Sequence, residues 1–469
     1  MKILDRLPWP VLLLPVVIAW VWVELSGYQG LNGQDAHDYL RIARAWTQWS
    51  TGGERPLMAE HPHGYPVAGA LLGAVLGSEL LGLRILSMVA LLIMVATLRG
   101  LLRRAYPGTR WLDAFLIVAF VTAPFLLRYA LVVMSDVPAI SLLCIAFSCT
   151  VRWLVERRWT WLFMAVLAAV FALSVRLAAA PVVLLLLLAA AHCISGRRIW
   201  HWALALLAIG AVITLCMVPV HDLRSLIARS PLAEWSPLNL FRRELVSDDG
   251  TLRYAVPNIV YVFGVLVHPG FIPIGVLLVP FVRGADLSPV HARVALLVLI
   301  GYLLFIAGMP FQNDRVLLMA QPFAVVLLFP AFTRVMDFVV AKGIRPAWVM
   351  SGLLVLQGGL FVRATVPFIR QAQVERELAD QVNAQHPQRV YTHGMGAAFG
   401  NLCPHVEVTE LWYEEIDRFE PGAMIVVRPQ NLSEQWTGLP PAINWQRAQA
   451  QGVDPVGEHP GGWVLVRVR

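Results

Sequence analysis

The sequence predicts a polytopic α-helical membrane protein of about eleven transmembrane helices, with a small C-terminal α/β domain on the outer face. Three observations carry that reading. Of the 469 residues, 58% are hydrophobic and only 14% charged, against about 25% charged in a soluble domain; the mean hydropathy is +0.64. Apolar runs long enough to cross a bilayer recur along the chain. Past residue 368 the composition changes to short alternating segments broken by Gly and Pro.

The expected spans lie near 8–26, 81–102, 111–131, 137–154, 160–177, 179–195, 199–219, 257–281, 292–309, 316–336 and 346–366. The first follows Lys2 and Arg6. No A-x-A cleavage site follows it, so it reads as an uncleaved span rather than a signal peptide. Residues 64–78, GYPVAGALLGAVLGS, are apolar but short and Gly-rich. They fit an interfacial or re-entrant helix.

Basic residues set the orientation. Arg99, Arg103, Arg104 and Arg110 fall between two runs, Arg152, Arg157 and Arg158 between another two, and Arg197 with Arg198 between a third pair. Arg283 with Arg293, then Arg334, Lys342 and Arg345, continue the series. With a cytoplasmic N-terminus all these loops lie inside, as the positive-inside rule asks. The protein is then expected in the inner (plasma) membrane, with the 27–80 and 220–256 loops and the tail outside. The net charge of +7 sits in these loops and not on a basic soluble face, so nucleic acid is not an expected partner.

The domains are expected at 1–368 and 369–469. In the tail, QAQVERELADQV reads as a charged helix, and RVYTHG, VEVTEL, AMIVVRP and WVLVRVR as strands. The five cysteines, Cys144, Cys149, Cys193, Cys216 and Cys403, show no CxxC or zinc spacing and read as small buried residues.

The polar residues that could do chemistry gather in the outer loops. The first loop carries GQDAHDYLRIARAW, with Asp35, His37, Asp38 and Tyr39 at the start of an amphipathic helix, and then EHPHGYP, with Glu60, His61, His63 and Tyr65. A plain reading has Asp35 capping a helix in a solvated loop. Imidazole with carboxylate oxygen would also suit a divalent metal, though no spacing is diagnostic and structural hydrogen bonding is the alternative. No cofactor is certain, and a divalent metal stays open.

A second outer turn, RYALVVMSDVPAI, brings Arg128 and Tyr129 close before Asp136, which is equally suited to capping the helix that begins there. A third, FQNDRVLLMAQP, places Arg315 at the start of a span. Guanidinium suits phosphate because it is permanently charged and binds oxygens in pairs; a snorkelling interface Arg is the other reading. Arg176, in ALSVRLAAAP, has apolar neighbours on both sides and is expected to meet an anion at membrane depth. The pattern is two carboxylates and two arginines converging at the outer leaflet, as general base, orienting group and phosphate clamp.

The order of these features resembles the multi-spanning GT-C glycosyltransferases, in particular the protein O-mannosyltransferase and aminoarabinose lipid A transferase branch. Asp35 matches the early acid of the first outer loop, HPHGYP the HPP-like turn, RYALVVMSDVP the second-acid segment and NDRVLLMAQP the later Arg segment. The resemblance covers roughly residues 1–340. It departs at His63, where a second Pro is usual, and at Val316, where Tyr commonly follows the Arg.

The resemblance implies an inverting transfer of a sugar from a polyprenyl-phosphate donor to an acceptor hydroxyl on the periplasmic side. Asp35 inherits the base and Asp136 its partner, so these two are the catalytic candidates. Arg315, Arg176 and Arg128 are the donor-phosphate candidates. His37, Asp38, Tyr39, His61, His63 and Tyr65 are the substrate-positioning ones. The partners implied are the polyprenyl-phosphate-linked sugar, membrane lipid, and a glycan, lipid or protein acceptor that the sequence does not identify. Two other readings stand beside it. A transporter or flippase for a lipid-linked sugar would place polar groups near the bilayer midplane in broken helices. An O-antigen ligase or polymerase would lean on an outer-loop His and Arg pair.

Overall fold

The computed structural model describes residues 9–54, 56, 61–195, 234–247, 249–459 and 461–469. The chain opens with α1 (Trp9–Leu25), an apolar helix with Pro15 inside it. Next come α2 (Gly33–Ser50), α3 (Gly64–Leu76) and α4 (Glu79–Ala105). Helix α4 shows why a span starts and stops: the Ser78 side chain accepts from the Leu81 amide, Glu79 lies in the first turn, and Arg103 and Arg104 lie in the last.

Helices α3 and α4 form a hairpin that depends on glycine. A Cβ on Gly82 would overlap the Gly69 carbonyl oxygen and the Gly73 backbone, so the two backbones touch. Helix α3 has 13 residues, fewer than the roughly 17–25 needed to cross a bilayer.

The stretch expected as one span over 111–131 is broken. Helix α5 (Leu112–Leu116) runs into a π turn at Ile117–Val121, and α6 (Pro124–Leu131) leaves at 66°. The Thr122 hydroxyl caps the turn by donating to the Ile117 carbonyl at 2.8 Å, and Pro124 cannot continue the helical ladder.

Helices α7 (Asp136–Glu156), α8 (Trp159–Val175) and α9 (Ala180–Ser195) follow, then, beyond a β1–β2 hairpin (Glu244–Ser247 and Gly250–Arg253), α10 (Val290–Ala307) and α11 (Asp314–Ala341). Helices α7 and α11 are the most enclosed spans, with 78% and 89% of their apolar windows buried. Among the described residues, five helices are long and apolar enough to cross a membrane, and the bent α5–α6 pair makes a sixth. The expected span at 199–219, like part of the 220–256 loop, lies outside the described residues.

The expected span at 257–281 is a correction. It divides into single-turn pieces, Asn258–Val262, Gly264–Val267 and Gly275–Leu278. Pro257, Pro269, Pro273 and Pro280, with Gly270 and Gly275, interrupt a segment whose apolarity alone suggested a continuous helix.

Helix α12 (Pro346–Gln385) is 40 residues long and passes residue 368 unbroken. Ile369 and Ala372 still belong to the bundle core, while Leu378, Ala379 and Val382 pack under the C-terminal sheet. That sheet has the order β4-β3-β5-β7-β6. Strands β3 (Arg389–Thr392), β4 (Glu407–Glu410) and β5 (Met424–Val427) lie in the expected segments, with β4 and β5 both parallel to β3. Strand β7 (Trp463–Val468) runs antiparallel to β5. Strand β6 (Val453–His459) was not expected from the sequence. It is polar, sits at the sheet edge and carries an irregularity at Pro455 and Gly457, where an edge tolerates it. Cys144, Cys149 and Cys403 are free and buried.

Candidate active site

Helix α2 has the amphipathic spacing its sequence suggests: Ala36, Tyr39, Leu40 and Ala43 are buried at i, i+3, i+4 and i+7. Asp35 lies in its first turn, beside that buried stripe. Across from it stand the starts of the two most enclosed spans. Asp136 opens α7 and is fully buried. Arg315 follows Asn313, whose side chain caps α11 by accepting from the Arg315 amide at 2.9 Å.

Arg315 joins the two acids. Its Nη1 donates to Asp35 Oδ2 at 2.6 Å, while Nη2 and Nε donate to Asp136 Oδ2 at 3.2 and 3.3 Å. Arg176, just past the end of α8, closes the other side. Its Nη2 is 3.2 Å from Asp136 Oδ1, and its Nη1 donates to the Ser135 hydroxyl at 3.2 Å. The Ser135 hydroxyl shares a 2.7 Å hydrogen bond with the Tyr39 hydroxyl, which ties α2 to the head of α7.

The acids differ in access. Asp136 is shut between two guanidiniums, whereas the Asp35 side chain keeps 32% of its surface. Burial by itself would raise the Asp35 carboxyl above the usual carboxylate value of 3.8. The charge of Arg315, then that of His61, the hydrogen bond from Arg315 and the charge of Arg176 outweigh it, and hold Asp35 at about 2. Asp35 is therefore ionised across the physiological range.

His61 Nε2 lies 3.8 Å from Asp35 Oδ1 and 3.9 Å from Asp38 Oδ2, and its ring leans on Tyr39 at 4.9 Å. Asp38 is held on its other side by Arg41, at 2.7 Å. Among the described residues no group of three His, Cys, Asp or Glu side chains is arranged to hold a metal ion. Glu60, the remaining acid of the His-rich turn, lies outside them.

The other expected residues sit elsewhere. His37 turns away from Asp35 and donates from Nε2 to Glu375 on α12, at 3.2 Å. His63 accepts from the Trp46 indole at 3.0 Å. Tyr65 is fully buried; its hydroxyl donates to the Leu83 carbonyl at 3.1 Å and its ring meets Tyr39 edge to face. Arg128 does not join the cluster. It donates from Nη2 to Asp314 at 2.6 Å and from Nη1 to the Ala364 carbonyl at 3.2 Å. Its guanidinium also lies over the rings of Phe125, Tyr129 and Phe368. The sequence reading missed Asp314 as that partner and Glu375 as the partner of His37. Adjacency of Asp314 to Arg315 was the available signal for the first, and nothing local pointed to the second.

The arrangement presents a shared, partly accessible guanidinium next to an ionised carboxylate, at one end of a membrane bundle. Such a pair can bind an anionic oxygen and take a proton from a neighbouring hydroxyl.

No protein-family model matches the chain, and no curated protein matches it. Its structure does have likenesses. It superposes on ArnT from Cupriavidus metallidurans bound to undecaprenyl phosphate with a TM-score of 0.60, at 14% identity, covering 97% of both chains. The same protein in its apo state gives 0.58, at 15% identity and the same coverage.

Proposed function

Starting from the GT-C fold that this chain adopts, we propose that it is an inverting glycosyltransferase that moves a sugar from a polyprenyl-phosphate donor to an acceptor hydroxyl. The observation that carries the reading is Arg315 held between Asp35 and Asp136, with Arg176 behind. ArnT was solved with undecaprenyl phosphate bound, a lipid phosphate of the kind this guanidinium pair would suit. The site end of the bundle is taken as the extracytoplasmic face of the inner membrane, with the N-terminus inside, because the basic loops then lie inside. The C-terminal sheet region shares the outer face.

In this reaction the acceptor oxygen attacks the anomeric carbon from the face opposite the phosphate. Asp35 takes the hydroxyl proton as the new C–O bond forms. The bond from the anomeric carbon to the phosphate oxygen breaks, and the electron pair leaves on that oxygen beside Arg315 and Arg176. Asp136 fixes both guanidiniums in place. Without donor, Arg315 is spent partly on Asp35. A donor phosphate that draws Arg315 towards itself would weaken that attraction and make Asp35 a stronger base when a substrate is there to react. His61 and Asp38, both partly exposed beside Asp35, position the acceptor, and the buried Tyr39 backs His61 and the head of α7.

The test is Asp35→Asn in membranes or detergent, assayed for transfer from a polyprenyl-phosphate sugar. Loss of transfer in a folded variant is expected. Full activity would remove Asp35 as the base, and flux of a lipid-linked sugar without product would favour transport.

A further inference from the structure

Helix α2, which carries Asp35, is not secured by its own cap: the Asn32 side chain makes no capping bond. The first-turn amides of a helix need partners, and here one is found far along the chain. The Gly33 amide donates to Glu375 Oε1 at 3.2 Å. The same carboxylate receives His37 Nε2 on its other oxygen at 3.2 Å, and both side chains are 2% exposed. A carboxylate this buried is expensive unless its bonds are kept, so the contact is a fixed one.

Gln34 makes a second tie. Its amide donates to Glu410 Oε1 at 2.6 Å and its carbonyl accepts from the Ala397 backbone at 2.7 Å. Glu410 also receives the Gly396 amide at 2.6 Å and the Gly394 amide at 3.2 Å. These groups sit where β3 and β4 end, at Thr392 and Glu410. In α/β folds the carboxyl ends of parallel strands are where a ligand ordinarily binds. In this chain that edge holds the side chain next to Asp35.

We propose that the C-terminal sheet region is a clamp that sets the position of Asp35, and that Glu375, Glu410 and Gln34 are positioning residues for the transfer. Gly33, Gln34 and His37 are gripped from the C-terminal side while Asp35, among them, faces Arg315. The inference rests on the glycosyltransferase reading for its kinetic consequence, but the clamp itself can be measured without it. Releasing it displaces the base and leaves Arg315 anchored by Asp136, so kcat falls and donor KM holds.

The experiment uses the full-length protein in detergent or nanodiscs. Glu375→Ala should lower kcat about 10- to 100-fold, the scale of a small misplacement of a reacting group, with donor KM changed less than about threefold. Glu375→Gln should recover most of the rate, since its amide oxygen still accepts from Gly33. Gln34→Glu sets two carboxylates against each other and should lower kcat in the same way; adding Glu410→Gln should restore it. Amide exchange across α2 should speed up in Glu375→Ala and return in Glu375→Gln. Unchanged exchange and kcat in folded Glu375→Ala would overturn the clamp, as would equal losses in the Ala and Gln variants or no rescue in the Gln34→Glu, Glu410→Gln pair. Faster α2 exchange in a protein that transfers no sugar even as wild type would uphold the clamp and overturn the glycosyltransferase reading instead.

Discussion

Two arginines in this molecule hold carboxylates in opposite ways. Arg99, on α4, grips Asp113, on α5, with both arms of its fork: Nε to Oδ1 at 2.6 Å and Nη2 to Oδ2 at 2.6 Å, with Arg103 Nη2 also 3.3 Å from Oδ2. The partners are 14 residues apart and together close one helix–helix turn. Arg315 divides its fork between Asp35 and Asp136, 280 and 179 residues away. Asp113 is 2% exposed and Asp35 32%. The first pair is closed, its carboxylate buried and held on both oxygens by Arg99. The second shares one cation between two acids, one of them reachable, which in the proposed reaction lets an incoming phosphate take over part of it. A closed bidentate pair holds structure, and a divided one is open to chemistry.

Matched substitutions break that comparison most strongly. Asp35→Asn should lower transfer by about 10²- to 10⁴-fold, the range for losing a general base, with a smaller loss of stability than Asp113→Asn because Asp136 still pairs Arg315. Asp113→Asn should do the reverse. It leaves Arg99 short of a buried counter-charge and should destabilise the fold by about 3–5 kcal/mol, while the activity per folded molecule stays near wild type. Denaturation and single-turnover assays on both variants separate the two, and equal behaviour would erase the distinction.

Arg315→Lys comes next. A lysine keeps the charge but cannot span two carboxylates with a planar fork. Transfer should drop about 10²-fold, the scale of losing a group that stabilises developing charge. Arg99→Lys should cost stability and leave kcat nearly untouched. Transfer kinetics set against melting curves decide it.

The pH dependence follows from the Asp35 carboxyl, held at about 2 against a usual 3.8. A carboxyl lowered on folding contributes stability that is complete above its unfolded value, about 3.8, and is lost as pH falls through about 2. Asp35 should therefore add no acid limb to kcat/KM above about pH 4, near the ordinary aspartate value. With Arg315→Gln, burial loses its main opponent, and the limb of the residual activity should move upward. A profile that stays in place would show that Arg315 does not govern Asp35.

The parts of this arrangement differ in how readable they were. Asp136, Arg176 and Arg315 each stand at the edge of an apolar run, where a charge is conspicuous, and Asp35 at the start of an amphipathic helix in the first outer loop; the structure brings all four together. Glu375 lies in QAQVERELADQV, a stretch whose charges suggest a solvated helix; only the tertiary fold shows that one face is buried against α2. Arg99 counted in the sequence as a loop charge and is in fact inside α4, paired and buried. Hydropathy reads composition and not continuity, so the proline-broken 257–281 segment resembled an intact span. Strand β6 hid because its alternation is interrupted at Pro455 and Gly457.

The smallest effect tests where Arg128 belongs in the comparison. The sequence made it a phosphate candidate. The structure commits its guanidinium to Asp314, to the Ala364 carbonyl and to three aromatic faces, with Tyr129 adding a 2.8 Å hydrogen bond to the same carboxylate. Like Arg99 it is committed to a single carboxylate, but Asp314, one residue before Arg315, keeps 31% of its side-chain surface, nearly as much as Asp35. Tyr129→Phe removes one neutral donor to Asp314 and should cost about 0.5–1.5 kcal/mol of stability, with kcat and donor KM within about twofold. A rise in donor KM well beyond that, without a matching loss of stability, would mean that the Asp314 pair yields to the donor as the Asp35 pair is expected to. Arg128 would then belong with the phosphate-binding residues after all.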